Sequence, residues 1–183
     1  MENKFYPECS GEHQSLLLPL FDECKNISSI LDAGSGRTSM SLLLSYFTSA
    51  SVTGVVYPGD ERKLNPISAF KADNMKLVET DLVKNELNSE YDLVLCHLLF
   101  GEALMWGNSL DNLVNSITRL NAKNVIVCDI FEDPSVDRCV IDDLFIFSGY
   151  TLKKEVRVFK QSEQQFSNFV SKSYFGKLYV KNC

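Results

Sequence analysis

The sequence predicts an α/β protein, a three-layer α-β-α sandwich whose seven-stranded, mostly parallel sheet ends in an antiparallel hairpin. Three observations predict this fold. Short runs of β-branched residues alternate with amphipathic stretches, a glycine-containing turn joins the first run to a helical stretch, and no helical stretch separates the last two β-rich segments. Strands that alternate with helices form crossover units, which produce a parallel sheet covered on both faces.

The chain is long enough for one domain with its own core. Its 183 residues are 45% hydrophobic and 23% charged, the composition of an ordinary globular protein that folds without disulfides or a structural metal. We expect a single domain over residues 1–183, with a leading helix in 1–26, an α/β core in 27–148 and a closing β-hairpin in 149–183.

Apolar periodicity and helix-end residues predict five helices. In the leading helix, Leu16 and Leu20 fall on one side. Pro66 interrupts or delays the third helix, Pro134 suits the first turn of the fifth, and Gly149 ends it. The predicted helices span residues 10–25, 38–47, 60–72, 109–120 and 134–147.

Valine, isoleucine, threonine and aromatic residues mark the strands, of which 91–96 is the most apolar. The polar linker KQSEQQFSN between the last two strands is too short for a crossover helix, so these strands are expected to pair antiparallel. The predicted strands span residues 29–33, 51–57, 75–79, 91–96, 124–129, 150–159 and 173–180.

The turn after the first strand is the most informative segment for function. In ILDAGSGRTS, Gly34 and Gly36 lie between a strand and a helix N-terminus, where the backbone can approach a ligand and N–H groups are free. The same glycines can also serve the turn alone. A dinucleotide fingerprint would have a third glycine where this chain has Ser39, and Asp32 precedes Gly34 by two residues.

This hydrophobic-hydrophobic-Asp-x-Gly-x-Gly pattern resembles the first motif of the class I S-adenosylmethionine-dependent methyltransferases. The likeness extends over nearly the whole chain: VETD at 78–81 is similar to the family's segment after strand three, and YDLVLCH at 91–97 to its fourth-strand motif. Asp129, at the end of strand five, also fits. The resemblance implies a Rossmann-like fold with strands six and seven swapped in order and a ligand crevice at the carboxyl ends of the strands.

The resemblance implies S-adenosylmethionine as the cofactor. Asp32 is expected to hold the glycine loop, to contact the methionine amino group, or only to cap local N–H groups. Asp81 either faces the adenine amino group or caps the helix that starts near Leu82. The family usually ends strand two with a carboxylate that binds both ribose hydroxyls. The matching positions in this chain are Val56 and Tyr57, and Asp60 is the nearest carboxylate. The candidate cofactor-binding residues are Asp32, Gly34, Ser35, Gly36, Tyr57, Asp60 and Asp81.

His97, placed just past strand four, is the candidate catalytic residue. The family often has substrate-facing residues there, and a histidine can accept a proton near neutral pH. The alternative is a histidine whose hydrogen bonds are satisfied at a strand end. Glu102 and Trp106 either line an acceptor pocket or pack a surface loop. No metal site is expected, because the six cysteines and two histidines lack close ligand spacing.

The net charge and the cysteine content indicate which partners and which cellular compartment are expected. The net charge of −6 and the absence of a basic run disfavour nucleic acid. The N-terminal segment has no apolar signal-peptide core, and no apolar stretch is long enough for a bilayer. Cysteines without a CxxC pair favour a reduced, cytoplasmic protein.

Three functions are compatible with these features. The first is an S-adenosylmethionine-dependent methyltransferase whose acceptor is a small molecule or a partner protein that completes the site, since little sequence remains for a recognition domain. The second is a non-catalytic methyltransferase-fold protein that acts as a partner-binding subunit, which the missing strand-two carboxylate favours. The third, a dehydrogenase, is disfavoured by Ser39 and by the Asp32 motif.

Overall fold

A computed structural model describes residues 11–36, 39–59, 72–85, 87, 90–130, 136–160 and 172–182. The helices within these ranges are α1 (Gly11–Phe21), α2 (Ser39–Phe47), α3 (Leu99–Met105), α4 (Leu110–Arg119) and α5 (Arg138–Phe147). The strands are β1 (Ser29–Ala33), β2 (Ser51–Val56), β3 (Met75–Glu79), β4 (Leu93–His97), β5 (Asn124–Ile130), β6 (Tyr150–Lys160) and β7 (Lys172–Lys181).

All seven strands belong to one sheet in the order β3-β2-β1-β4-β5-β7-β6. The five strands from β3 to β5 are parallel, and β7 pairs antiparallel with both β5 and β6. This arrangement confirms the predicted mostly parallel sheet, the C-terminal hairpin and the exchanged order of strands six and seven. Because the central strands run parallel, their carboxyl ends meet at one edge, where open α/β sheets place ligands.

The apolar core is divided between the two faces of the sheet. Leu31 and Val94 are fully buried and pack with residues of α3, α4 and α5. Ile30 and Leu95 are equally buried but pack with α1 and α2 on the opposite face. Successive strand residues point to opposite faces, so a strand covered on both sides must be apolar at every position. That requirement explains why 91–96 is the most apolar segment of the sequence.

Several element ends differ from the predicted ones. The leading helix ends at Phe21 rather than residue 25, and β2 ends one residue before Tyr57. His97 does not follow strand four but is its last residue. The predicted helix over 60–72 lies almost wholly outside the described residues. These shifts arise because periodicity identifies an element better than it locates the residue at which hydrogen bonding stops.

The fifth helix begins later than predicted. It starts at Arg138, and Asp137 is its N-cap, with a carboxylate that accepts hydrogen bonds from Cys139 N at 2.9 Å and Val140 N at 3.2 Å. Proline at 134 suggested a first turn, but the side-chain cap three residues later determines where the helix begins. Gly149, with φ of 85°, ends it as predicted.

Asp92, from the fourth-strand motif, stabilises the sheet at the end opposite the carboxyl ends. Its Oδ2 accepts hydrogen bonds from Ser28 N at 2.9 Å and Ser28 Oγ at 2.6 Å, and its Oδ1 accepts one from Lys123 Nζ at 2.6 Å. The hydrogen bond from Lys123, followed by those from Ser28, holds the pKa of Asp92 well below its usual range. The carboxylate therefore joins the segment before β1 to the segment before β5.

Replacing Asp92 with alanine should lower the free energy of unfolding at pH 7 by about 2–4 kcal/mol, because the Ser28 and Lys123 donors lose their acceptor. A lowered pKa makes this contribution complete above the usual aspartate range and lost as the pH falls through the folded-state pKa. The Asp92→Ala variant should therefore lose less stability in acid than the wild type. Urea denaturation at pH 7 and pH 3 measures both effects, and equal stability of the two proteins at pH 7 would contradict the prediction.

Candidate functional site

The glycine turn after β1 has a backbone that requires glycine. Gly34 has φ of 126° and Gly36 has φ of 46°, values that other L residues rarely adopt. A Cβ atom on Gly34 would lie 2.7 Å from Leu99 Cδ1, the side chain that begins α3. Gly34 therefore serves both the turn and the close approach of the segment that follows β4.

Asp32 is buried next to this turn, with only 1% of its surface exposed. Its Oδ2 accepts a hydrogen bond from Ser41 Oγ at 2.6 Å, and Ser41 Oγ lies 2.7 Å from Ser35 Oγ. Burial raises the pKa of Asp32 to about 6, although hydrogen bonds from Ser41 and Ser35 act against the rise. Its Oδ1 is buried without a hydrogen-bond partner among the described residues, so this carboxylate retains one acceptor for a further donor.

Gly54 in β2 makes room for this hydroxyl network and is a site residue that the sequence reasoning missed. It pairs with Asp32 across the parallel strands. A Cβ at Gly54 would lie 2.4 Å from Ser41 Oγ and 2.9 Å from Ser35 Oγ. The available signal was a glycine inside the strand SVTGVV, which is typical of a close approach by another group.

Two adjoining clefts open at the carboxyl ends of the parallel strands. Both are open to solvent, and the space between their walls, open solvent included, is about 400 Å³ in the first and about 460 Å³ in the second. The first cleft extends to Gly36, Glu102 and Trp106, and the second to Thr80 and Asp81. The residues that line both are Gly34, Tyr57, Leu99, Ala103 and Asn108.

An aromatic pair closes the wall of the first cleft. The rings of Tyr57 and Trp106 meet edge to face, with centroids 4.4 Å apart and planes at 82°. Tyr57 follows β2 and Trp106 is the C-cap of α3, so the end of α3 packs on the end of β2. Of the two positions at which the resemblance implies a carboxylate, Val56 is the last residue of β2 and Tyr57 carries a ring in contact with Trp106.

Asp81 caps a turn at residues 82–84, whereas one of its two predicted alternatives was to cap a helix that starts near Leu82. Its Oδ1 accepts a hydrogen bond from Val83 N at 3.0 Å, and its Oδ2 lies 3.1 Å from Lys84 Nζ. The Asp81 carbonyl also accepts a hydrogen bond from Asn85 N at 2.8 Å. The residue nevertheless lines the second cleft, so its contact with adenine stays a prediction.

His97 lies apart from these clefts. It is 7% exposed, and its position in β4 pairs with Cys128 of β5. Strand alternation directs its side chain to the same face as Leu93 and Leu95, toward α1 and α2. It is not among the described residues that line either cleft. Its role as a base stays a prediction.

The structure brings six of the predicted cofactor residues to one region. Four of them line the clefts. The other two, one just before the glycine turn and one within it, are connected by hydrogen bonds to Ser41. The seventh, Asp60, lies outside the described residues. The four are Gly34, Gly36, Tyr57 and Asp81, and the two are Asp32 and Ser35.

Asp129 positions α3 beside the clefts. It is 2% exposed at the carboxyl end of β5, and its Oδ2 accepts hydrogen bonds from Phe100 N at 3.0 Å and Gly101 N at 3.2 Å. These donors belong to the first turn of α3, whose N-cap Leu98 has φ of 55° and makes no side-chain cap. The carboxylate therefore supplies, from a distant strand, the cap that the local sequence lacks.

Other types of site have less support in the described part of the chain. Burial raises the pKa values of the Cys96 and Cys128 thiols, which keeps both protonated and unreactive. Within the described ranges, no group of three or more histidine, cysteine and acidic side chains is arranged to hold a metal ion. None of the helices within those ranges has the length and apolar character needed to cross a membrane.

Comparison with solved structures establishes the fold. No family model matches the sequence, and neither does any curated protein. A TehB-like SAM-dependent methyltransferase from Corynebacterium glutamicum is 15% identical, with 90% of this chain and 86% of that chain covered at a TM-score of 0.63. A Burkholderia thailandensis 1,6-didemethyltoxoflavin-N1-methyltransferase with bound S-adenosylhomocysteine is 12% identical, with coverage of 94% and 79% and a TM-score of 0.66.

A precorrin-6y C5,15-methyltransferase from Geobacter metallireducens is 16% identical, with 92% of this chain and 88% of that chain covered at a TM-score of 0.59. At such identities the likeness concerns the fold alone. The chain has the fold of the class I S-adenosylmethionine-dependent methyltransferases, as the motif resemblance implied.

Proposed function

We propose that the chain binds S-adenosylmethionine in the two adjoining clefts and transfers its methyl group to an acceptor. The observation that carries this proposal is the glycine turn after β1, which opens onto both clefts beside a buried carboxylate with an unpaired oxygen. The Burkholderia structure with the same fold holds S-adenosylhomocysteine, the demethylated product of this cofactor. Its presence supports the choice of ligand.

The residues of the clefts fit such a ligand. S-Adenosylmethionine is long and consists of adenine, ribose and an amino acid, which suits two clefts that share a wall. The missing Cβ at Gly34 leaves room where the two clefts meet. Asp32 Oδ1 is a buried acceptor that an N–H donor can satisfy. Asp81 stands at the far end of the second cleft.

When bound, S-adenosylmethionine supplies a sulfonium methyl group that a nucleophile can accept. The contribution of the chain is to orient the reactants and exclude water, through the apolar walls formed by Leu99, Tyr57 and Trp106. The proposal assigns His97 no contact with the cofactor, because it lines neither cleft. Acceptance of a proton from the acceptor remains its predicted role.

We propose a small molecule as the acceptor, with a protein partner that completes the site as the alternative. The net charge of −6 repels a phosphate backbone, which disfavours nucleic acid. Two of the three solved relatives above are named for small-molecule substrates.

Trp106 provides a direct test, because it is the only tryptophan in the sequence and it lines the first cleft. S-Adenosylhomocysteine should change the intrinsic fluorescence of the protein in a saturable way, and NAD should not. At about a hundred times its dissociation constant the ligand should also add about 2.7 kcal/mol of stability, which raises the melting temperature by roughly 5–10 °C. No response to millimolar S-adenosylhomocysteine in either measurement would reject the proposal.

The second candidate is a non-catalytic protein with this fold that serves as a partner-binding subunit. Tyr57 favours it, since an aromatic ring packed against Trp106 stands where the family has its ribose-binding carboxylate. Loss of one charged hydrogen bond costs about 1.5–3 kcal/mol, or roughly tenfold to a hundredfold in affinity. A protein that shows neither response to S-adenosylhomocysteine but co-purifies with a defined partner would support this candidate.

A further inference from the structure

Neither Val56, the last residue of β2, nor Tyr57 after it carries a carboxylate. A carboxylate on α3 lines the first cleft, which Tyr57 also lines. Glu102 lines the first cleft together with Tyr57, the residue that follows β2. Trp106 lies four residues after Glu102, and its ring contacts the Tyr57 ring at a centroid distance of 4.4 Å. Residues four apart share one face of a helix, so the face of α3 that packs on the end of β2 also carries Glu102.

The cofactor offers one group for which a carboxylate is particularly suited. The two adjacent hydroxyls of ribose can both donate to a single carboxylate, and charge-assisted hydrogen bonds of this kind are roughly twice as strong as neutral ones. Among the described residues that line the clefts, only Asp81 and Glu102 carry a carboxylate. Glu102 lines the first cleft, next to the glycine turn and Trp106, whereas Asp81 lines the second.

We infer that Glu102 binds the ribose hydroxyls of S-adenosylmethionine and so replaces the carboxylate that β2 lacks. The inference rests on the proposed function and assigns the ribose to the first cleft. It explains how an aromatic residue can occupy position 57. The ribose contact is made from across the cleft, and the Tyr57 ring supports the helix that makes it.

The backbone of α3, which carries Glu102, is held by contacts from outside the helix. Asp129 binds the amides of Phe100 and Gly101 in the turn that precedes Glu102. After the helix, Asn108 Nδ2 donates to Ala103 O at 3.2 Å, which secures the other end. The backbone of α3 is thus attached at both ends, which fixes the position from which the Glu102 side chain extends.

The experiment compares the affinities of two ligands for the wild type, for a Glu102 variant and for a control variant. Dissociation constants for S-adenosylhomocysteine and its 2′,3′-dideoxy analogue are measured by calorimetry for the wild type and Glu102→Gln. We expect Glu102→Gln to weaken S-adenosylhomocysteine binding about tenfold or more and to leave binding of the dideoxy analogue unchanged. Asp111→Asn, an exposed carboxylate on α4 with the same change of charge, is the matched control and should bind both ligands like the wild type.

Other outcomes would overturn the inference in distinguishable ways. An equal loss for both ligands, or no loss, would show that Glu102 does not contact the hydroxyls. S-Adenosylmethionine is titrated as well. If Glu102→Gln lowers its affinity more than that of S-adenosylhomocysteine, Glu102 interacts with the sulfonium charge instead. If discrimination between the two ligands disappears in Asp60→Asn and persists in Glu102→Gln, the ribose carboxylate is Asp60.

A wild-type protein that does not bind S-adenosylhomocysteine at all would reject the proposed function together with the inference. Wild-type binding without a Glu102 effect would reject the inference alone. Circular dichroism and melting temperatures show whether Glu102→Gln keeps its fold, and Glu102→Ala, measured in the same way, removes the side chain without an amide in its place.

Discussion

Gly34→Val should abolish binding of S-adenosylhomocysteine, with a loss of affinity of at least about a hundredfold, in a chain that still folds. The added Cβ would lie 2.7 Å from Leu99 Cδ1, and Gly34 lines both clefts at the wall they share. The φ of 126° would also strain a β-branched residue, at a cost to stability of about 1–3 kcal/mol.

Gly149→Val is the matched control, because it separates backbone strain from obstruction of the cleft. Gly149 has φ of 85° at the end of α5, and an added Cβ there would meet no described atom within 4 Å. We expect it to lower stability by a similar amount and to leave binding unchanged. Calorimetric titration and thermal denaturation of both variants measure the two effects. Normal binding by Gly34→Val would show that the clefts beside the glycine turn do not hold the cofactor.

Stability should fall as the pH rises from about 4 to about 6, because of Asp32. Burial raises the pKa of this carboxyl from 3.8 to about 6, so the folded protein holds a proton that the unfolded chain releases across this window. Stability decreases with pH wherever the folded state binds more protons. A rise of roughly two pKa units corresponds to about 3 kcal/mol, and the Asp32→Asn variant should lack this dependence.

Urea denaturation at intervals between pH 4 and pH 7 tests the Asp32 prediction. Asp92 contributes a slope of the opposite sign only at the acidic end of this range, because its pKa is lowered from 3.8, and the comparison with Asp32→Asn, which keeps Asp92, cancels that slope. Asp111→Asn, which alters an exposed carboxylate on α4, should retain the wild-type slope. An Asp32→Asn variant with the same slope as the wild type would show that another group titrates in this window.

The two glycines in these predictions could be recognised from the sequence because backbone conformation is a local property. A strand followed by a helix needs a turn, and both Gly34 and Gly149 adopt positive φ where a strand or helix ends. The bounds of β1 and β3 agree with the predicted 29–33 and 75–79 for the same reason. Alternating apolar runs of that length have few other ways to be buried.

α3 illustrates what local pattern could not predict. Its seven residues are too few for periodicity to be visible, and its N-cap Leu98 provides no side-chain cap. The amides of its first turn are satisfied by Asp129, which lies about thirty residues away in sequence on β5. A carboxylate at the end of a strand is compatible with many roles, and only the sheet order brings this one to α3.

The sequence by itself therefore determined the class of fold, the order of the strands implied by its motifs, and the glycine turn at the candidate site. All three depend on neighbours along the chain, or on a pattern of burial that repeats within one element. The tertiary structure decided that Tyr57 meets Trp106, that Glu102 lines the cleft of Gly34, and that His97 lies apart from both clefts. These contacts join residues far apart in the chain, so their positions depend on the packing of α3 against the ends of β2 and β5.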